Sequence, residues 1–186
     1  AFCNLFLNSN VLSKSLLLIL TRNPELGKCK TRLATTVGDP AALAIYKFLL
    51  NHTVSVTKNL SVDKWVLYSE EIWEDDIWDN HIYQKKLQEG KDLGERMLNA
   101  FKEGFLAGFD QVIIIGSDMY HLAQKDLEKA FLQLKNHDFV VGPAEDGGYY
   151  LLGMRQLNKK LFQNKVWGTD TVLSDTLKDI EGAHIA

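Results

Sequence analysis

Residues 111–118 read QVIIIGSD, and the reading of this stretch decides the fold. It is the clearest buried strand in the chain, a continuous apolar run of the kind expected where both faces of a sheet are covered. It ends in Gly116-Ser117-Asp118, so a carboxylate stands at the mouth of the strand. SLLLIL at 15–20 is a second run of this kind, and KWVLY at 64–68 a shorter one. Further strands are expected over 82–87, 138–142 and 149–154.

Helical signals fall between these strands. Asp39 as N-cap and Pro40 at the first helical position open a helix to about residue 58, with Ala42, Ile45, Leu49 and Val56 near one face. Asp92 caps another through about residue 109. Its Leu93, Met97, Ala100, Phe101 and Phe105 point inward, and Glu95 completes a capping box. Helices are also expected over 124–135 and from Thr169. The spacing of Ile72, Trp73, Ile77 and Trp78 predicts a short surface helix, with Glu74-Asp75-Asp76 on its solvated side. Strands alternating with helices predict an α/β fold: three layers, α/β/α, around a mostly parallel, mixed sheet. In such sheets ligands bind outside the carboxyl ends of the strands. That rule marks the residues after Leu20, Ile115 and Gly142.

Composition narrows the class. The 186 residues are 46% hydrophobic and 24% charged, which suits one domain with a full core. A net charge of -3 argues against a nucleic-acid coat or a basic membrane arm. Cys3 and Cys29 form neither a disulfide framework nor a zinc spacing, and no two of the five histidines stand at i, i+4. No apolar run could span a bilayer. Residues 1–14 lack a basic leading region and a small-residue cleavage site, so they are read as a lead without a signal peptide, and 15–186 as a single domain. The expected location is the cytoplasm.

Three constellations sit at the marked strand ends. After the first strand, TRNPELGKCKTR places Arg22, Lys28, Lys30 and Arg32 around Gly27. The glycine lets backbone N–H groups approach a ligand, and the cations could neutralise phosphates. It is not a Walker A loop, since Arg22 takes the first glycine's place and Cys29 follows the lysine. The bland alternative is a solvated basic loop. After the second strand, Asp118 is placed to hold Mg²⁺ or Mn²⁺ shared with substrate phosphates, or else merely to cap a helix. After the third come Glu145-Asp146-Gly147-Gly148-Tyr149. There Asp146 could be a second metal carboxylate, Glu145 a ligand or acceptor contact, and the glycines a tight re-entry into the sheet; a decorated hairpin turn is the competing reading. A fourth segment, QEGKDLGER at 88–96, offers Asp92 and Gly94 at a helix N-terminus as a border of the substrate pocket.

Taken in order, LLLILTRNPELGKCKTRLA, GKDLGERM, IIIGSD and GPAEDGGYYLLGM resemble the selenodomain-associated transferase 1 family, of glycosyltransferase-A type, over residues 16–177. That family is similar to nucleotide-diphospho-sugar transferases, including guanylyltransferases acting on phospholactate or on the molybdenum cofactor. The resemblance implies a nucleotide-diphospho-sugar transferase fold, with Lys28 and Arg32 on the nucleotide phosphates and Asp118 on the metal. Asp146 and Gly147-Gly148 then lie on the sugar or acceptor side. One departure stands out: the family continues GSD-x-P-x-L-T, whereas this chain has GSDMYHLA, with Tyr120 for Pro and Ala123 for the capping Thr.

The expectation is a Mg²⁺-dependent transferase using a nucleotide or nucleotide-sugar donor and a small-molecule acceptor, by glycosyl or nucleotidyl transfer. It binds no nucleic acid and can pair as a homodimer. The alternative is a non-catalytic nucleotide-binding protein with a degenerate metal loop. A carboxylate-nucleophile hydrolase is disfavoured, because no D-x-D-x-[TV] follows the first strand. The sharpest structural expectation is that Asp146 faces Asp118 across a cleft at the carboxyl edge of the sheet.

Overall fold

A computed structural model describes residues 13–186. The lead, its missing signal features and Cys3 fall on residues 1–12, outside the described residues. The strands are β1 (Ser15–Thr21), β2 (Asp63–Tyr68), β3 (Gln84–Leu87), β4 (Gln111–Gly116), β5 (Phe139–Pro143) and β6 (Tyr149–Met154). They form one sheet in the order β3-β2-β1-β4-β6-β5. The first four in that order run parallel; β6 is antiparallel to both β4 and β5. Helices are α1 (Thr31–Val37), α2 (Asp39–Thr57), α3 (Leu93–Leu106), α4 (Gln124–Gln133) and α5 (Val172–Asp179), with a 3₁₀ turn at Lys159–Phe162.

The three layers follow from side-chain alternation along the buried strands. Leu17 and Ile19 of β1, with Ile113 and Ile115 of β4, pack beneath Tyr46 and Leu50 of α2 and Leu127 and Phe131 of α4. Leu16 and Leu18, with Val112 and Ile114, pack against Met97 and Phe101 of α3, Phe162 and Ile180. Leu16 to Ile19 are fully buried, and each such side chain contributes about 1.5–3 kcal/mol relative to exposure. Because both faces are covered, the strand sequences show continuous apolar runs rather than alternation.

Several local expectations are corrected. Gly38 caps α2 and Asp39 is already helical, with Pro40 in the first turn. Ile45 is exposed and Val56 half-buried; Tyr46 and Leu50 form the core face instead. The basic segment after β1 contains a helix, α1, with no buried residue, which explains why it left no apolar stripe. α3 stops at Leu106, before Gly108 with φ +86°. Leu93 is exposed rather than inward, and the Glu95 carboxylate caps the N–H of Lys91 instead of Asp92.

The largest miss is 71–80, which is not helical. Asp76 is no solvated acid: it pairs with the buried Lys85 Nζ at 2.9 Å and accepts from Tyr68 Oη at 2.5 Å. Lys85 also donates to the carbonyls of Trp73 and Glu74, so one ammonium from β3 gathers the loop by contacts no helix could offer. The last helix begins at Val172, not Thr169, and α4 ends at Gln133. Ala123 leaves α4 without a side-chain cap, yet Asp126 Oδ2 still accepts the Ala123 N–H at 3.0 Å, so half of the expected cap survives.

Candidate functional site

The carboxyl ends of β1, β2, β3, β4 and β5 lie along one edge of the sheet, since all five run in the same sense. The segments that follow them carry the candidate residues.

The loop after β1 is anchored before it is charged. Asn23 is buried; its Nδ2 donates to Glu71 O at 2.8 Å and its Oδ1 accepts from Glu70 and Glu71, tying the loop to the one after β2. Cys29 donates to Asn23 O, and burial pushes its thiol pKa up, so it packs as a neutral group. Thr21, Ser117 and Tyr46 close a buried triangle of hydroxyls at 3.1–3.3 Å, and the Tyr46 hydroxyl accepts the Arg22 N–H at 2.8 Å. Burial raises the Tyr46 pKa, which keeps the phenol protonated and able to donate in this network. Thus the mouths of β1 and β4 are locked together from α2.

Lys30 holds a left-handed backbone, φ 50° and ψ 43°, at the start of α1. A lysine in that region is uncommon and is retained where its surroundings over-determine it. Its Nζ lies 2.7 Å from Asp118 Oδ2. Lys28, by contrast, pairs with Glu25 and Glu70 at 3.0 Å, and those hydrogen bonds, Glu25's first, raise its pKa. Arg22 and Arg32 are exposed.

Two cations outside the expected set join them. Lys91 and Arg96 flank the start of α3, where the Asp92 side chain caps Glu95 N at 2.9 Å. Arg96 Nε donates to Gly90 O, and Gln88 bridges β1 and β2 through Thr21 O and Leu67 O. A cavity of about 800 Å³ opens between these segments, lined by Arg22, Lys28, Lys30, Arg32, Lys91 and Arg96 against only Asp92 and Asp118. Among the described residues, Arg22, Arg32, Lys91 and Arg96 have no carboxylate partner. A pocket with surplus cations and walls that exclude part of the solvent raises the local concentration of anions. Lys91 and Arg96 could have been found by applying the strand-end rule to the strand expected over 82–87, which leads directly into QEGKDLGER.

A second cavity of about 600 Å³ adjoins the first and shares Leu20, Arg32, Leu93 and Asp118 with it. Its far side carries Asp146, Gly148, Tyr149 and Trp167. Asp146 and Asp118 therefore meet at one cavity on the carboxyl edge, as expected. Asp146 Oδ1 accepts the Gly148 N–H at 3.1 Å, an Asx-type turn that orients the carboxylate. Glu145 is exposed and lines neither cavity. Gly147 is a packing residue: its φ is +82°, and an added Cβ would fall 2.2 Å from Asp170 O. Gly94 is another, since a Cβ there would fall 2.4 Å from Trp167 Nε1. Burial pushes the Tyr149 phenol up; its hydroxyl neighbours that of Thr176, and both are buried without a well-formed hydrogen bond among the described residues.

The donor set bears on a divalent cation. Among the described residues no three His, Cys, Asp or Glu side chains cluster as a metal cage. Mg²⁺, however, is often held by one or two carboxylates with substrate phosphates completing its shell. Asp118 and Asp146, beside a cationic cavity, fit that arrangement only with phosphate oxygens present.

The comparisons agree with the geometry. A crystal structure described as a "putative nucleotide-diphospho-sugar transferase" from Desulfovibrio desulfuricans G20 superposes with a TM-score of 0.84 at 30% identity, covering 94% of this chain and 79% of that one. A 4-diphosphocytidyl-2C-methyl-D-erythritol synthase shares the fold at TM-score 0.54 and 15% identity, over 89% and 84% of the two chains. The corresponding synthase from Anaerococcus prevotii DSM 20548 does so at 0.52 and 10%, over 93% and 86%. No curated protein matches the chain. The fold is thus that of the nucleotide-diphospho-sugar transferases. Residues 53–169 match the family described as "Uncharacterized protein conserved in bacteria (DUF2064)", and the chain belongs to that family.

Proposed function

We propose that the protein is a transferase that binds a nucleotide-activated donor in the cationic cavity and an acceptor in the adjoining one. The observation that carries this reading is the surplus of cations without a carboxylate partner among the described residues, Arg22, Arg32, Lys91 and Arg96, at the carboxyl edge of a sheet of this fold. A nucleoside diphosphate brings the opposite charge, and charge-assisted bonds to guanidinium are among the stronger polar contacts. Lys28 serves this purpose less than Lys30, since Glu25 and Glu70 already hold it. Similarity at 30% identity to a protein described as a "putative nucleotide-diphospho-sugar transferase" supports the same reading.

In the transfer, the acceptor oxygen bonds to the donor's reactive centre and its proton passes to a carboxylate of the adjoining cavity, Asp146 or Asp118. The bond from that centre to the donor phosphate breaks, and the phosphate leaves with the electron pair. The cations that held the ground-state phosphates then face the charge that develops on the leaving group, which lowers the barrier. Mg²⁺ or Mn²⁺ held by Asp118 and Asp146 would add Lewis-acid charge at the same phosphates. Glycosyl and nucleotidyl transfer both use this arrangement.

Within this proposal the chain is a selenodomain-associated type of transferase, its residues 15–186 work as one domain, and a homodimer is its assembly. A cytoplasmic location suits the buried free thiol of Cys29. A second reading, a nucleotide binder without turnover, is favoured by the Lys30–Asp118 ion pair, which already supplies a cation to the carboxylate. A thermal-shift panel of nucleotides and sugar nucleotides, with and without Mg²⁺ or Mn²⁺, tests the proposal. Stabilisation by nucleotide that is strengthened by metal, and loses its metal dependence in Asp118→Asn, is expected. No stabilisation by any nucleotide would refute it, and stabilisation without turnover across the donor panel would favour the binder.

A further inference from the structure

The two cavities differ in charge more than in size. Around the first, six cations face two carboxylates; around the second, Arg32 alone faces Asp118 and Asp146. Arg32 is shared with the first cavity, so among the described residues the second has no cation of its own. Apart from Thr169, its remaining side chains are apolar or aromatic, among them Met97, Ile114, Met119, Tyr150 and Trp167. A phosphate placed there would have Arg32 as its one cation, since Lys30 is already taken by Asp118 at 2.7 Å, and it would lie beside Asp146; a charged group without its own partner in a partly dry site is disfavoured. The Trp167 indole touches the Gly94 backbone so closely that no Cβ fits between them, which seats the ring against α3 as one side of the cavity.

We propose that the second cavity takes an uncharged hydroxyl compound with an apolar or ring-shaped face and rejects phosphorylated acceptors. This rests on the reading above, in which the second cavity is the acceptor's, and names the class of acceptor. The transferred group then joins an alcohol oxygen: the O–H proton goes to a carboxylate of this cavity, the new bond forms at that oxygen, and the donor phosphate leaves with the electron pair. A product with a newly made diphosphate linkage, which a phosphorylated acceptor would give, is thereby disfavoured.

The test follows the Trp167 indole N–H resonance by NMR in the full chain, assigned with Trp167→Phe. The protein is saturated with a nucleoside diphosphate to block the cationic cavity. The probes are 2-(4-hydroxyphenyl)ethanol and its phosphate monoester. The alcohol is expected to shift the resonance saturably, and the ester to bind at least about tenfold more weakly. Ala144→Phe, which fills the rim of the cavity, is expected to abolish the shift while nucleotide binding persists. Asp146→Asn is expected to narrow the preference by removing one repelling charge. An ester that binds as tightly as the alcohol, an alcohol shift that survives Ala144→Phe, or no shift with either probe overturns the inference. Nucleotide binding, measured on the same samples, reports separately on the donor site. If no nucleotide binds, the donor reading fails, and the shift that Ala144→Phe removes still decides between alcohol and ester.

Discussion

The loop after β1 and the turn after β5 sit on the same edge of the sheet and both contain a glycine with positive φ, yet they are built to opposite ends. Gly27, at φ +76°, has only Asp39 Oδ2 near its missing Cβ, at 3.7 Å. Gly147, at φ +82°, has the Asp170 backbone at 2.2 Å. The first loop keeps room around it and leaves Arg22 and Arg32 uncommitted. The second turn is clamped: Leu173 N donates to Gly147 O at 2.9 Å and Gly148 N to Asp146 at 3.1 Å. Similar φ values thus serve an open basic loop in one place and a rigid carboxylate mount in the other.

Paired substitutions can break this contrast. Gly147→Ala combines φ strain with a backbone clash and is expected to destabilise the fold by roughly 3 kcal/mol or more in chemical denaturation. Gly27→Ala suffers the strain alone, roughly 1–2 kcal/mol. Equal losses would mean that the turn is not clamped. Next in size, Arg96→Ala and Arg32→Ala should each weaken nucleoside diphosphate binding by about tenfold, the worth of one hydrogen bond to a charged group, with melting temperature little changed. Lys28→Ala should leave affinity nearly unaltered, because its ammonium already serves Glu25 and Glu70 at the surface. A loss equal to that of Arg96→Ala would show that the ion pairs do not withhold it.

The smallest expected effect lies at the foot of the turn. Tyr149→Phe removes a buried hydroxyl that makes no well-formed hydrogen bond among the described residues, its polar neighbour being the Thr176 hydroxyl, so stability should change by no more than about 1 kcal/mol. Its pH dependence has a definite sign. Burial raises the phenol above its ordinary 10.0 in the folded state. Its contribution is therefore complete below that value and is lost as pH climbs above it towards the folded-state pKa. Denaturation curves above pH 10 should fall less steeply for Tyr149→Phe than for the wild type. Parallel falls would place the ionising groups elsewhere, Tyr46, Tyr68 and Tyr83 being the other phenols that burial raises.

Much of this architecture was readable without coordinates, for a physical reason. β1 and β4 are buried on both faces, so SLLLIL and QVIIIGSD announce a parallel sheet and place Thr21 and Asp118 at its working edge. Asp146 could be assigned to the same edge because β5 and β6 are joined by a short turn. What stayed hidden depends on partners distant in sequence. The 71–80 loop has helical spacing, but Lys85 gathers its carbonyls and overrides that spacing. The Thr21, Tyr46 and Ser117 triangle joins residues up to 96 positions apart and has no one-dimensional signature. Arg96 looked like an ordinary helix residue until Gly90 and Gln88 were seen to aim it at the cavity. Nor does the sequence show that Gly94 and Gly147 pack closely against Trp167 and Asp170, partners distant along the chain.

The central claim is that the cationic cavity receives the diphosphate of a nucleotide donor. The most direct test is a crystal structure of the protein soaked with a nucleoside diphosphate. The account predicts electron density for the diphosphate among Arg22, Arg32, Lys91 and Arg96, within hydrogen-bonding distance of at least two of them. Nucleotide density at any other place on the protein, or none at a saturating concentration, would contradict it.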